Sequence, residues 1–514
     1  MKKSAVLIPM LAISLVFSAC SSKSSQGTMA DTNKASAPSQ LIVAAEQEPV
    51  GLDPNKVPAA SSKRIYSLVY DTLTVMDNDF NVKPSLADSW TYSEDGKTLT
   101  MKLHPGVKFH NGREMTSDDV KYTFTRILDP ATGALSKSSF SSIESMDTPD
   151  KNTIVFKFKT IDTTFLANAT SAFSSIVPKE VADLNKEAVG TGPFMLDKIE
   201  NGQYVLLKKN PNYFKTDQPK VDSIKFQLMK DESERLAAVR SGAVDLSMVS
   251  TESAKLLENS KNIKVTSFLS AEYGYLGMNV AKKPFDDVRV RQAISYALDR
   301  NEIANTVYKG QGVPSGPISP ALKAFALSVS EFPSYTKNLD KAKQLLKEAG
   351  YENGFETVID TEAMYQDLVD ASQVIQQQLQ QIGIKATINK MEEAAYVEKW
   401  KSKNMTTMVG RNSSGTNPDR SLRFFFSTTG TANVWNYSNK EYDALVQKAL
   451  ETTDEAKRKD LYNQAQKMVV NDAPNVFTAS PKIFYAVSDK VQGFNPTAAG
   501  EQYALIQASV SGKK

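Results

Sequence analysis

The run QDLVDASQVIQQQLQQIGIKATI, residues 366–388, decides the fold class. Leu368, Ile375, Leu379 and Ile382 recur at helical spacing, and Gly383 then stops the helix, because glycine readily takes the left-handed conformation of a helix end. From Ile384 to Ile388 apolar and polar residues alternate, as they do in a strand. A helix that passes through glycine straight into a strand is part of a parallel α/β unit, since parallel strands need a long crossover between them.

Neighbouring segments read the same way. Val290, Ala293, Ile294, Ala297 and Leu298 lie on one helical face, and Asp299-x-x-Glu302 is spaced to cap the helix that follows. Asp340 is placed to cap a helix with Ala342, Leu345, Leu346 and Ala349 on its buried face, ended by Gly350. Toward the N-terminus, Leu99, Met101 and Leu103 alternate, a His104-Pro105-Gly106 turn follows, and Val107 and Phe109 resume before Asn111-Gly112. This predicts a hairpin, with Ile154, Phe156 and Phe158 in the same region.

At 514 residues the chain exceeds what one hydrophobic core supports, so at least two lobes are expected. A 41% apolar and 23% charged composition excludes fibrous and disordered classes. A net charge of +3 leaves no electrostatic footprint for nucleic acid. One cysteine and two histidines, His104 and His110, exclude a cysteine-based metal cluster and leave little for histidine catalysis. Gly190-Thr191-Gly192-Pro193 lacks the third glycine of a dinucleotide loop, and Pro193 removes an amide, so it reads as a structural turn.

The sole cysteine ends an export signal: Lys2 and Lys3, an apolar stretch from Ala5 to Phe17 too short to span a bilayer, then Ser18-Ala19-Cys20. Phe17-Ser18-Ala19-Cys20 resembles the lipobox of bacterial lipoproteins, which implies cleavage after residue 19 and a lipid on Cys20. Residues 20–40 are serine-rich without Leu, Ile or Val, a tether reaching about 25 Å as a random coil.

Between Pro84 and Val120, the pieces Pro84-Ser85-Leu86-Ala87-Asp88-Ser89-Trp90, Ser93-Glu94-Asp95-Gly96, Gly106-Val107-Lys108-Phe109-His110-Asn111-Gly112 and Thr116-Ser117-Asp118-Asp119-Val120 follow one another. Then come Gly190-Thr191-Gly192-Pro193-Phe194, Asn210-Pro211-Asn212-Tyr213-Phe214, Asn279 with Pro284-Phe285-x-Asp287-x-Arg289-Val290-Arg291, and Tyr437-Ser438-Asn439-Lys440. In content and order the chain resembles the bacterial family 5 extracellular solute-binding proteins of ABC importers.

That resemblance implies an α/β fold of the periplasmic-binding-protein type II class: two lobes with a hinge and an inserted α+β subdomain. Lobe I would take residues 41–66, 188–276 and 486–514, the inserted subdomain 67–187, and lobe II 277–485. The ligand would sit between the lobes against Glu46, Gln47, Tyr273, Tyr275, Arg411, Asn412, Ser413, Ser414, Asn417, Asp419, Trp435, Asn436, Tyr437 and Tyr485. Core packing is the competing reading for Tyr273, Tyr275 and Trp435. The implied partners are a peptide or other small ligand, an ABC permease and, through Cys20, the outer face of the cell membrane. A monomer without cofactor or metal is expected.

Dipeptide-binding relatives hold the ligand's ammonium with an acid and its carboxylate with an arginine. The corresponding stretches here are Ser413-Ser414-Gly415-Thr416-Asn417 and Asp360-Thr361-Glu362-Ala363-Met364-Tyr365, with serine in place of the acid and no arginine. The expectation is a peptide held through neutral groups, with Arg411 or Asp419 meeting one ligand charge. The alternatives are a secreted hydrolase with Ser413 or Ser414 as nucleophile, and a family member binding a metal chelate or another non-peptide solute.

Overall fold

The structure, a computed structural model, describes residues 39–511; Cys20, the export signal and the tether up to residue 38 lie outside the described residues. Strand β1, Gln40–Ala45, opens the first sheet, and helix α1, Ala60–Val69, buries Ile65, Tyr66, Leu68 and Val69 against it. The chain then leaves for a subdomain built on four antiparallel strands, β2 (Ala87–Tyr92), β3 (Thr98–Leu103), β4 (Ile143–Asp150) and β5 (Thr153–Phe158), in the order β2-β3-β5-β4. Leu99, Met101, Leu103, Val107, Phe109, Ile154, Phe156 and Phe158 all enter its core, as their alternation requires. The expected hairpin does not form: β3 pairs with β2 and β5, and the segment after the turn makes only an isolated bridge, Lys108 with Glu114.

The return to the first sheet is made through Gly190-Thr191-Gly192-Pro193. A Cβ on Gly190 would lie 2.0 Å from the Val69 carbonyl oxygen, so glycine is required for the chain to pass the end of α1. Strands β6 (Phe194–Glu200), β7 (Tyr204–Lys209), β8 (Ser223–Leu228), β9 (Leu246–Val249) and β10 (Ile263–Leu269) complete this part.

The second sheet begins with β11, Glu272–Met278. Helices α2 (Val288–Ala297), α3 (Arg300–Val307) and α4 (Leu339–Glu348) follow, with Asp299 accepting from the Glu302 amide at the start of α3 as its spacing predicts. The cap of α4 is Asn338 rather than Asp340: its side chain accepts from the Lys341 amide, and Asp340 sits in the first turn. Strand β12 (Glu356–Glu362), helix α5 (Gln366–Gln380) and strand β13 (Lys385–Met391) form the parallel α/β unit expected around residues 366–388, and β12 and β13 pair in parallel from Glu356↔Lys385 to Glu362↔Met391. Gly383, between helix and strand, has φ +84°.

Strand β14 (Thr407–Ser413), helix α6 (Pro418–Phe426) and strand β15 (Asn475–Phe477) complete the second sheet, in the order β13-β12-β14-β11-β15. Strand β16, Ala479–Ser488, goes back to the first sheet, whose order is β10-β16-β9-β1-β8-β7-β6, and helix α7, Glu501–Gln507, packs near α1. Both sheets mix parallel and antiparallel pairs and carry apolar clusters that fill the molecule in separate bodies.

The chain changes sheet at Ser270–Ala271 and again at Thr478, not at the 276/277 and 485/486 boundaries read from sequence. Tyr273 to Met278 is buried between β14 and β15, and that two-sided burial draws all of β11 into the second sheet. Likewise Leu68, Val69, Val177, Val181 and Leu184 pack in the first sheet's core, while the subdomain core runs from Leu73 to Ile176, inside the sequence limits of 67 and 187.

Candidate functional site

One wall of the candidate site belongs to the first sheet. The chain leaving β1 at Glu46 and Gln47, the first turns of α1, and Tyr485 on β16 line a cavity of about 320 Å³. Tyr485 is buried between Phe268 and Phe494, with ring centroids 6.4 and 5.3 Å away. The charges here are paired: Arg64 with Glu501 at 2.9 Å, Glu46 with Arg235 at 3.6 Å. Lys63, on the same helix, has no carboxylate within ion-pair reach among the described residues and stands 5.9 Å from the Phe173 ring centroid. It is exposed and lines the cavity beside Arg64. Desolvation lowers its pKa, Glu272 of β11 acts against that, and Arg420 of α6 adds to it.

The opposite wall belongs to β11, β14 and the start of α6. Glu272 pairs in register with Ser413, and Gly274 with Arg411. The Arg411 guanidinium lies 4.6 Å from the Tyr365 ring centroid, 3.0 Å from Asp367 and 3.9 Å from Glu272. Ser413 is exposed, whereas the Ser414 hydroxyl is buried and accepts from the Ser319 amide at 2.8 Å. Asn417 caps α6 by accepting from the Arg420 amide, and donates through Nδ2 to Asn168 Oδ1 of the subdomain at 3.1 Å. The subdomain and second lobe also meet where Thr163 bonds the Leu450 carbonyl.

Two of the expected charge anchors are already occupied. Asp419 is buried and held by Arg423 through two bonds of 2.8 Å, and Arg411 is engaged by Asp367 and Glu272. Four aromatic expectations resolve into core: Tyr273 packs edge-on to Phe477, Tyr275 edge-on to Trp435, and Tyr437 edge-on to Tyr442 while its hydroxyl donates to Asp472. A Cβ on Gly277 would lie 2.2 Å from the Trp435 ring, which shows how completely that indole is enclosed. Asn436 adopts φ +57° and donates through Nδ2 to Asn279 Oδ1 at 3.0 Å. The Tyr273 hydroxyl and the Asn412 side-chain amide nitrogen, on cross-strand neighbours in β11 and β14, are both buried.

The site therefore gathers Glu46, Gln47, Arg411, Ser413 and Tyr485 from the sequence expectations and adds Lys63, Glu272 and Arg420. Arg420 had a signal in sequence: it stands in the first turn of a helix introduced by Asn417-Pro418, where the helix dipole disfavours a cation. Lys63 had none, because its place depends on where α1 lies. The histidines are engaged elsewhere, His104 with Asp88 at 2.9 Å and His110 with the Gly192 carbonyl at 3.0 Å, so neither is bonded to Ser413 or Ser414. Among the described residues no group of three or more His, Cys, Asp or Glu converges as metal ligands, and no helix is long and apolar enough to cross a membrane.

The sequence profile of the bacterial extracellular solute-binding proteins, family 5 (middle region), matches residues 81–433, from the subdomain through the α6 wall of the cleft. The chain belongs to this family. This solute-binding protein is 30% identical to heme-binding protein A of Haemophilus influenzae over 98% of its own length and 99% of the relative's. It is 32% identical to glutathione-binding protein GsiB of Escherichia coli K12, over 88% and 91% of the two chains. Its structure resembles the ABC transporter-associated periplasmic binding protein DppA of Helicobacter pylori in complex with the peptide STSA, with a TM-score of 0.80, 28% identity, and 92% and 98% of the chains covered. The fold is thus that of the type II periplasmic binding proteins. A solute-binding protein of this family works by holding its ligand, not by turning it over.

Proposed function

We propose that this solute-binding protein captures a peptide or peptide-like solute in the cleft between its two sheets and hands it to an ABC permease, while a lipid on Cys20 keeps it at the outer face of the membrane. The observation that carries the ligand class is the mixed charge of the cleft walls: Arg411 and Glu272, 3.9 Å apart, on one side, and Lys63 with Glu46 lining the cavity on the other. A peptide offers both charge signs and a backbone of donors and acceptors to such walls. The names of relatives support the same class, one being a glutathione-binding protein and another having been solved with a peptide. Lobe closure needs no covalent step, because a ligand that contacts both lobes favours the closed arrangement by its differential affinity.

The test is mass spectrometry of what dissociates from the purified protein on mild denaturation, together with thermal unfolding in the presence of glutathione, tri- to pentapeptides and hemin. Peptide masses and peptide-dependent stabilisation are expected. Stabilisation by hemin alone would overturn the ligand class, and stabilisation by none of these would overturn the peptide reading.

A further inference from the structure

We propose that the inserted subdomain is a latch on the second lobe: with Thr163 and Asn168 it seats two helix ends of that lobe, and these contacts set how readily the lobes part. The latch acts on lobe closure itself and does not depend on which solute is held.

The subdomain is built onto the first lobe. Val177, Val181 and Leu184 belong to the first sheet's core, and Arg126 pairs with Asp53. It also reaches the second lobe directly. The Thr163 amide and hydroxyl donate to the Leu450 carbonyl at 3.2 and 2.8 Å. Leu450 stands in the last turn of the helix Lys440–Glu451, where a carbonyl has no partner within its own helix. At the second point Asn417, the cap of α6, donates to Asn168 Oδ1 at 3.1 Å, and beside it the Thr416 hydroxyl donates to the Ala167 carbonyl at 3.4 Å. Phe80, elsewhere on the subdomain, packs against the apolar cluster of the second lobe.

The latching segment is braced from within. Phe165 enters the subdomain core among Phe124, Phe140, Phe156 and Phe158, with ring centroids 4.7–5.8 Å away, and so anchors the chain between Thr163 and Asn168. Before it, the buried Asp162 carboxylate accepts from the Thr164 amide and hydroxyl at 2.9 and 2.8 Å and from the Ser142 hydroxyl at 2.6 Å. After it, Asn168 Nδ2 donates to the Thr164 hydroxyl at 3.0 Å and to the Ser139 carbonyl at 3.2 Å, which leaves Oδ1 for Asn417. A segment fixed in this way gives up little further freedom when it docks, so its bonds hold the lobes together at small entropic cost. Each bond exchanged for water on opening is worth roughly two- to twelvefold in the balance between closed and open arrangements. Asn417 follows the strand that carries Arg411 and Ser413, so the latch also fixes the edge of that wall of the cleft.

Hydrogen exchange of the purified full-length protein, resolved to single amides by mass spectrometry, reads the latch directly, because the Thr163 amide itself bonds across the lobes. In the wild type this amide is expected to exchange slowly. Thr163→Val keeps the amide and the shape of the side chain but removes the hydroxyl, and Asn168→Ala removes the second bond. Each should speed exchange at residue 163 roughly two- to twelvefold, and the double variant should exceed either. Thr163→Ser keeps the hydroxyl and should stay near the wild type, which a role in packing alone does not predict. The amides of Thr98–Leu103 should exchange as before in every variant, since the subdomain sheet is untouched. Asn168→Ala also loses bonds inside the subdomain, and Thr163→Val keeps the test decisive if that variant folds poorly. Small-angle scattering of the double variant should give a larger radius of gyration than the wild type. An unprotected Thr163 amide in the wild type, unchanged exchange in Thr163→Val, or a double variant with the wild-type radius of gyration would overturn the latch, and none of these touches the peptide reading.

Discussion

Asp419 and Arg423, one turn apart on α6, hold each other through two bonds of 2.8 Å, and the carboxylate is almost fully buried while the guanidinium is half-exposed. The acid that seems available to a ligand is thus part of the lobe's own structure. Removing Arg423 would leave a buried carboxylate without its partner, and Arg423→Ala should cost about 3 kcal/mol of stability at neutral pH. Burial already raises the Asp419 pKa, with Arg423 opposing the rise. Without Arg423 the folded-state pKa stands higher still above the unfolded value, so the deficit should grow as pH rises through that range and shrink as pH falls and the carboxyl takes up its proton. Urea unfolding of both proteins at pH 4 and pH 7 measures this. An equal deficit at the two pH values would count against it.

Gly277 lies under Trp435, whose ring occupies the space a methyl group would need. Gly277→Ala should destabilise the second lobe by about 1–3 kcal/mol through overpacking, with peptide affinity nearly unchanged in the protein that remains folded. Thermal unfolding and calorimetry on the same sample separate the two effects.

Glu272 faces Lys63 and Arg411 from β11. Glu272→Gln leaves the cleft more positive and should tighten binding of a peptide with a free carboxylate by about 0.5–1 kcal/mol at low ionic strength, with the gain fading as salt is added. Weaker binding of that peptide would mean that Glu272 holds the ligand's ammonium instead.

Cys20→Ala should move the protein from the membrane fraction to the medium or leave it unprocessed, with ligand binding intact. Retention in the membrane fraction at wild-type levels would exclude the lipid anchor.

Much of the fold is legible in local sequence because its periodicities are local. The α5 face, the Gly383 turn and the parallel strand behind it follow from neighbouring residues, and so does the cap at Asp299. The failures are non-local. Nothing near Thr98–Leu103 tells that its partners are Ala87–Tyr92 and Thr153–Phe158 rather than the residues after the next turn. The crossings are not legible in sequence because Tyr273–Met278 is apolar enough to serve either lobe, and only the pairing with Thr407–Ser413 decides. In the site, Tyr275 and Trp435 could face core or cleft with the same alternation, and packing assigned them to the core. Ser413 and Arg411 reach the wall because their strand ends there. Lys63 was invisible, since a lysine in the second turn of an amphipathic helix reads as surface until the opposite lobe is in place.

The chain passes between the two sheets at Ser270–Ala271 and at Thr478, and capture by lobe closure predicts a rotation about these crossings. Small-angle X-ray scattering of the purified protein, alone and saturated with a peptide shown by calorimetry to bind one-to-one, tests this most directly. The account predicts a smaller radius of gyration and a shorter maximum dimension with peptide bound. Superimposable profiles under confirmed saturation would contradict it.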